Sequence, residues 1–579
     1  MQLISLSANH SSFRPVIFKN VTGLNFIVAK QSDSEQIDNN KTFNGVGKSL
    51  LVSIIHFCLG SSIMEPFKKH LPGWEFTLRI KVKEDEYLIT RSTDAQQPIK
   101  LDGEEIKQGE LNKILGERLF EIPEGIKFLT FRSLLPFFIR PRRGSYVNFN
   151  NPNVLGNQYQ ILITNAFLLG LNIHLVEEKF NLRNEKERIK SLIKELSHDQ
   201  LLKDFFVGNR DVSLATEELS DKIRKLETDL SKFSVAEDFY EIKEEADRLK
   251  KSLESTQNEI VLLQNQIANI DESRKTSPDL KLESIERVYK EASVILPEGL
   301  TKRMEDLEKF YKHLTVNREK RLLDQKNHIS QELLNLTQKF NKEKSELDKN
   351  LQYLNTHQAL DIFVKLTNLL SELKGEKEQL ERYDQLLKQY QEQKIKLERD
   401  FVDATAKTAA YLVEAEGMIK GLRDFFRELA KRFYPDAAAG ITVYNNDGDN
   451  QIRYDYDAKI QADASDGINS VKIFCYDLTI LLQGYGHNVN TIFHDSRLLD
   501  GIDPRQVAVI FKVLRDYILP TNRQYILTVN QNHLDEIRPF LTDEEYREII
   551  TENVCHILED ESPEKKLLGI QVDMEYEKS

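Results

Sequence analysis

The chain has 579 residues, 40% of them hydrophobic and 30% charged, with 24 Gly and 15 Pro. That length allows about three to five globular domains, or fewer plus something elongated, and the charge share favours long solvated helices while excluding collagen-like and low-complexity chains. Lys and Arg number 80 against 93 Asp and Glu, a formal net charge of −13, so any nucleic-acid site has to be a local basic patch. Cys58, Cys475 and Cys555 lie far apart without a CxxC pair. This excludes a disulfide scaffold, makes a zinc knuckle improbable and fits a reducing compartment. No basic-then-apolar leader and no run of about 18 apolar residues is present, so the expectation is a cytoplasmic protein without a membrane span.

Residues 1–173 mix strand and helix signals, with apolar strand-like runs at Leu24–Ala29, Phe76–Val82 and Tyr87–Thr90. A polar stretch, Lys30 to Lys41, separates the first strand from Phe43-Asn44-Gly45-Val46-Gly47-Lys48-Ser49, which runs into the apolar Leu50-Leu51-Val52. A glycine loop ahead of a helix presents backbone N–H groups to phosphates, and the helix N-terminus favours the anion. Asn44, Gly45, Val46, Gly47, Lys48, Ser49 and Leu50 are the predicted nucleotide-binding segment: Lys48 for the β/γ-phosphates of ATP, Ser49 for Mg²⁺. Thr42 stands where the usual first Gly falls, and a plain surface loop is the competing account.

From about 174 to 430 the chain is rich in Glu, Lys, Leu and Gln. Ile242, Ala246, Leu249, Leu253, Thr256, Ile260, Leu263, Ile267 and Ile270 alternate spacings of four and three. Similar runs follow at Ile329–Leu347, interrupted by Glu343, and at Leu373–Phe401, interrupted by Glu376 and Lys394. This periodicity predicts a coiled coil, with an amphipathic bundle as the alternative. The expected organisation is a lobe at 1–173, a first arm at 174–275 with a break near Val207-Gly208, a turn at 276–300, a second arm at 301–430, and a second lobe at 431–579. Gly440–Tyr444, Thr491–Phe493 and Tyr525–Val529 are the strand-like runs of that last lobe.

The glycine loop, the coiled-coil hairpin and the second half-domain resemble the SMC/RecN superfamily of ABC ATPases. The resemblance implies an α/β ABC-type ATPase head split by a long antiparallel coiled-coil hairpin. It also implies a signature loop, which falls on Ala464-Ser465-Asp466-Gly467. There Ser465 and Gly467 match the family, Asp466 departs, and an ordinary helix cap is the competing account. The Mg²⁺-holding aspartate falls on Asp495 in Thr491-Ile492-Phe493-His494-Asp495-Ser496. The family's next residue is Glu, which positions water; here it is Ser496, and a hydroxyl is no carboxylate base. Asp500 or Asp503 are candidates to compensate. The family's switch His falls on Asn530, with His533 as an outside candidate. Slow or conditional hydrolysis is therefore expected.

Phe131–Arg140, His494–Arg497 and Asp503–Gln506 further resemble a branch of these ATPases found in bacterial three-component ABC systems. That resemblance implies conflict with phage or plasmids, alongside a middle component and an effector. The implied assembly is a homodimer sandwiching two ATP molecules, with Lys48, Ser49 and Asp495 of one copy facing Ser465 of the other. Arg132, Arg140, Arg142 and Arg143 cluster with Phe137, Phe138 and Tyr146. They are equally a DNA-backbone contact or an internally paired arginine cluster. The alternatives to a DNA clamp are a RecN-like repair ATPase and a coiled-coil scaffold with a relic nucleotide site.

Overall fold

The computed structural model describes residues 1–31, 45–154, 156–198, 212–232, 240–275, 299–352, 357–461, 466–570 and 572. The chain divides into two units, Met1–Glu185 with Leu397–Ser579, and Lys186–Lys396. No helix among the described residues is long and apolar enough to cross a membrane.

The first unit is mixed helix and sheet. Its strands are β1 (Gln2–Ala8), β2 (Val16–Ile17), β3 (Gly23–Lys30), β4 (Glu75–Val82), β5 (Asp85–Ser92), β6 (Ile99–Leu101), β7 (Glu104–Ile106), β8 (Ala439–Asn445), β9 (Tyr454–Ile460), β10 (Thr491–His494), β11 (Gln524–Asn530) and β12 (Val554–Glu559). They form a six-stranded sheet in the order β2-β1-β4-β5-β6-β7, a four-stranded sheet β10-β11-β3-β12, and the pair β8-β9. The six-stranded sheet is antiparallel, and β4 alternates buried and more exposed residues, as a sheet with one solvated face requires. The four-stranded sheet is parallel; β10, β11 and β3 are buried on both faces while the edge strand β12 is half-buried, which is why β3 and β11 show in the sequence as continuous apolar runs.

Register in the parallel sheet decides where chemistry can gather. His494 lies opposite Leu527, and Asn530 lies opposite Ala29. β10, β11 and β3 therefore end at one edge, which brings Asp495, Asn530 and the end of β3 to the same side. Parallel sheets bind ligands at the carboxyl ends of their strands. Helices pack on the sheets: Lys48–Cys58 lies against β4 and β5, and Pro504–Tyr517 sets Phe511 against Phe26 of β3. Lys48–Cys58 buries Leu50, Leu51, Ile54 and Ile55. Pro504–Tyr517 buries Val507, Ile510, Phe511 and Leu514, one helical stripe. That second helix starts at an Asp503 cap with Pro at its first turn.

The second unit is helical, built from Val212–Ser231, Tyr240–Lys275, Gly299–Gln352 and most of His357–Glu414. Tyr240–Lys275 and Gly299–Gln352 run antiparallel: Ser252 bonds Glu343, Asp271 pairs with Lys326, and Arg274 pairs with Glu319. Glu343, an interruption of the heptad pattern, is thereby matched by a hydroxyl donor. The unit differs from a plain two-stranded coil in one place. Ile223, Leu230, Leu253, Leu347, Phe363 and Leu370 share one buried cluster, so four helical segments meet there. Phe363 in this cluster carries Lys250 over its ring, 4.8 Å from the centroid. The tip residues 276–298 and the break near Val207 lie outside the described residues.

Candidate functional site

Gly45 and Gly47 hold φ of +82° and +109°, a region that costs glycine little and other residues much. Gly47 caps the helix Lys48–Cys58 with no side-chain capping bond and no acid in the first turn. The N–H groups at that helix start are thus offered to an external anion. Behind the loop, the Leu567 N–H donates to the Val46 carbonyl at 3.0 Å, and Arg14 N–H donates to the Leu567 carbonyl at 3.0 Å. A Cβ on Gly47 would stand 2.5 Å from Leu567 Cβ. Gly47 is therefore demanded twice, by its φ and by the close approach of the C-terminal segment. Asn44 lies outside the described residues.

Lys48 is the second part of the site. Its ammonium donates to Asn530 Oδ1 across the edge of the parallel sheet. Burial pushes its pKa down to about 8, against the opposing pull of Asp495 and Asp500. The glycine-loop lysine, the end of β11 and two carboxylates thus converge on one point. Ser49 sits half-buried at the second position of the helix, and its carbonyl accepts the Ser53 hydroxyl at 3.0 Å.

Asp495 is 3% exposed and caps the short turn Ser496–Leu498. Among the described residues its hydrogen bonds all fall on Oδ1: from Ser496 Oγ at 3.0 Å, Thr528 Oγ1 at 3.3 Å and Arg497 N at 3.4 Å. The donor set leaves Oδ2 for a hard cation, which suits Mg²⁺ and its preference for one or two carboxylates. Ser496 is itself engaged, its N–H on Thr528 Oγ1 at 2.9 Å and its hydroxyl on Asp495. It orients the aspartate and contributes no base. Asp503 is committed to capping its helix and to Arg505 at 3.1 Å. Asp500 instead lines a cavity of about 210 Å³ together with His533.

A buried polar network lies beneath this edge, and local sequence patterns did not reveal it. Asp477 is wholly buried on the helix Asp466–Gln483. It takes a bidentate pair from Arg140, at 2.6 and 2.7 Å, and lies 2.8 Å from His494 Nε2. His494 Nδ1 lies 2.7 Å from the Tyr525 hydroxyl. A carboxylate only accepts, so His494 carries its proton on Nε2 and accepts from Tyr525. Burial holds this imidazole below its ordinary range, which keeps it neutral. The Tyr146 hydroxyl accepts the Asp495 N–H at 2.7 Å, joining the network to the site.

The four arginines separate. Arg140 is wholly buried and spends its guanidinium on Asp477 and on the carbonyls of Ser145, Asn148 and Phe149. Arg132 bonds the Leu59 carbonyl at 3.0 Å and His56 Nδ1 at 3.2 Å, and burial pushes its pKa down to about 10. Neither guanidinium faces a DNA backbone, which corrects their place among the candidates. Only Arg142 and Arg143 are exposed.

Ser465 lies outside the described residues. Gly467 is buried, and a Cβ there would meet the Gly501 carbonyl oxygen at 2.7 Å. Its own fold requires that glycine, whatever faces it from outside. Asn469, two residues on, donates to the Val147 carbonyl at 2.9 Å.

Residues 429–572 match a family described as an uncharacterised protein conserved in bacteria, DUF2326. The chain is 22% identical over 552 residues to the uncharacterized protein YydD of Bacillus subtilis (strain 168), covering 89% of this chain and 90% of that one. Among solved structures it matches the Smc head domain with a coiled coil and joint from Pyrococcus yayanosii, at 14% identity and a TM-score of 0.36, covering 96% and 94% of the two chains. It also matches the Smc head domain with an extended coiled coil from Pyrococcus furiosus, solved bound to the C-terminal domain of ScpA. There the identity is 12%, the TM-score 0.31, and the coverage 92% and 91%.

Proposed function

We propose that this chain is an SMC-like, ATP-binding clamp that hydrolyses ATP slowly. One observation carries the reading: Lys48, at the head of an uncapped helix behind a positive-φ glycine loop, reaches Asn530 at the carboxyl edge of a parallel sheet. That edge is where a polyphosphate finds N–H donors, a cation and an orienting amide together. The Ser49 hydroxyl and Asp495 would hold Mg²⁺, which supplies charge neutralisation of the phosphates. Slow turnover follows from Ser496, which orients Asp495 in the place of a carboxylate base. In this reading two copies close over two ATP molecules, with Ser465 and Gly467 reaching the partner's nucleotide. Exposed Arg142 and Arg143 would contact DNA. Signalling through a middle component to an effector, in defence against phage or plasmids, rests on the sequence resemblance.

The test is the mass of the purified protein by light scattering, with and without ATP and Mg²⁺, beside Lys48→Ala. ATP-dependent doubling that Lys48→Ala abolishes supports the clamp. A mass and an ATP affinity that ignore both nucleotide and substitution overturn it in favour of a scaffold with a relic site.

A further inference from the structure

Ser496 leaves the site without a carboxylate to activate water, and the cavity beside Lys48 holds the groups that could replace it. The cavity of about 210 Å³ is lined by Leu499, Asp500, Ile502, Asn532 and His533, among others. It has room for several water molecules, each needing ~30 Å³ of liquid volume. His533 lies three residues beyond Asn530, the cap of the helix Gln531–Ile537, whose side-chain oxygen accepts the hydrogen bond from Lys48. His533 is near enough to the glycine-loop lysine for the charge of Lys48 to act on its imidazole. His533 Nδ1 and Asn532 Oδ1 are buried with no hydrogen-bond partner among the described residues. A buried polar atom without a partner costs free energy, and two in one cavity point to a guest that satisfies them.

We propose that His533, which shares its cavity with Asp500, takes the proton from the water that attacks ATP. This rests on the reading of the chain as an ATP-binding protein. As the water oxygen bonds to the γ-phosphorus, the bond from that phosphorus to the bridging oxygen breaks, and its electron pair leaves with ADP. The water's proton passes to His533 and then to bulk solvent, so the products are ADP, phosphate and a proton. Three charged groups face the imidazole: Asp500 from the turn, Glu536 from its own helix and Lys48 from the glycine-loop helix. Burial nonetheless keeps it below its ordinary range, so at neutral pH it is free to accept a proton.

The experiment uses the full chain with ATP and Mg²⁺. Affinity is read from the anisotropy of a fluorescent ATP analogue, and chemistry from single-turnover hydrolysis between about pH 5.5 and 8.5. His533→Gln is expected to bind within about twofold of the native protein and to hydrolyse about a hundredfold more slowly. Asp500→Asn is expected to lose about tenfold. The native rate should fall on the acid side with the slope of one proton, and His533→Gln should lack that limb. Ser496→Glu placed in the His533→Gln background should restore turnover. A His533→Gln protein with native rate and native acid limb overturns the proposal. So does a native protein that binds ATP tightly and does not hydrolyse it. Absence of ATP binding, unchanged by Lys48→Ala, overturns the nucleotide site itself and this proposal with it.

Discussion

Asp477 Oδ2 and His494 Nε2 meet at 2.8 Å in the interior, where His494 ends β10 one residue before Asp495. Asp477 also neutralises Arg140, so it serves a cation and an imidazole at once. Removing one partner of a buried pair leaves a charge without compensation and costs about 3–5 kcal/mol, whereas replacing both with apolar residues costs far less. Asp477→Leu should therefore destabilise the first unit by that amount, and Arg140→Met with Asp477→Leu should recover only part of it, because His494 Nε2 and the carbonyls of Ser145, Asn148 and Phe149 still lose their partners. Trp74 is the single tryptophan and is buried in this unit, so its fluorescence during urea unfolding reports the right transition. A double variant as unstable as the single one would refute the account.

What the sequence disclosed followed from burial symmetry. β3 and β11 are buried on both faces, so they stand out as apolar runs, and Asn530 could be placed at the end of one and Asp495 at the end of another. The glycine loop announced itself because positive φ demands glycine. The sequence leaves Arg140 open between a DNA contact and an internal pair, because a charged side chain looks exposed until its partner is known and Asp477 is distant in sequence. Leu567 gave no local signal at all, since its importance lies in a backbone bond to Val46 and contact with Gly47. In the helical unit the heptads fixed which faces are buried. They could not show that Ile223 and Phe363 would join Leu253 and Leu347 in a four-segment core, because the spacing within one helix does not count its neighbours.

Gly47 is predicted to tolerate no side chain. Its φ of +109° costs an L-residue about 1–3 kcal/mol, and the added Cβ would press on Leu567. At about 1.4 kcal/mol per decade, ATP affinity should fall between about fivefold and a hundredfold in Gly47→Ala. Leu567→Gly in the same background removes the contact and leaves the φ, so it should recover only part of the loss. Titration with a fluorescent ATP analogue measures both. Affinity within twofold of native in Gly47→Ala would sink the prediction.

The antiparallel register of the helical unit can be checked chemically. As one helix rises from Ser252 to Arg274, its partner descends from Glu343 to Glu319. Ser252→Cys with Glu343→Cys should form a disulfide under mild oxidant, visible as faster migration on a non-reducing gel. Cys58 and Cys475 are buried and Cys555 half-buried, so the native background is small. Ser252→Cys with Glu319→Cys, out of register, should not cross-link. Equal yields from the two pairs would show that the register is not fixed.

Acid should loosen the first unit through His56. Its Nε2 lies 2.6 Å from the Ile139 carbonyl and its Nδ1 3.2 Å from Arg132, so the ring is neutral, donating from Nε2 and accepting on Nδ1. Burial, helped by Arg132, pushes its pKa down to about 3. The unfolded chain takes up a proton near pH 6.5 that the folded chain refuses until about pH 3. Stability therefore falls as pH drops through that window, by about 1.4 kcal/mol per pH unit for the one proton, or ~2 kcal/mol between pH 6.5 and 5. His487, pushed down to about 4 by burial, adds in the same direction. His56→Gln can keep both hydrogen bonds, with its amide N–H on Ile139 and its oxygen facing Arg132, but cannot titrate. Followed by Trp74 fluorescence, its stability at pH 7.5 should lie within about 1 kcal/mol of native. Its decline toward pH 5 should be shallower by one proton's worth. Parallel declines in the two proteins would mean that His56 is not the group the acid attacks.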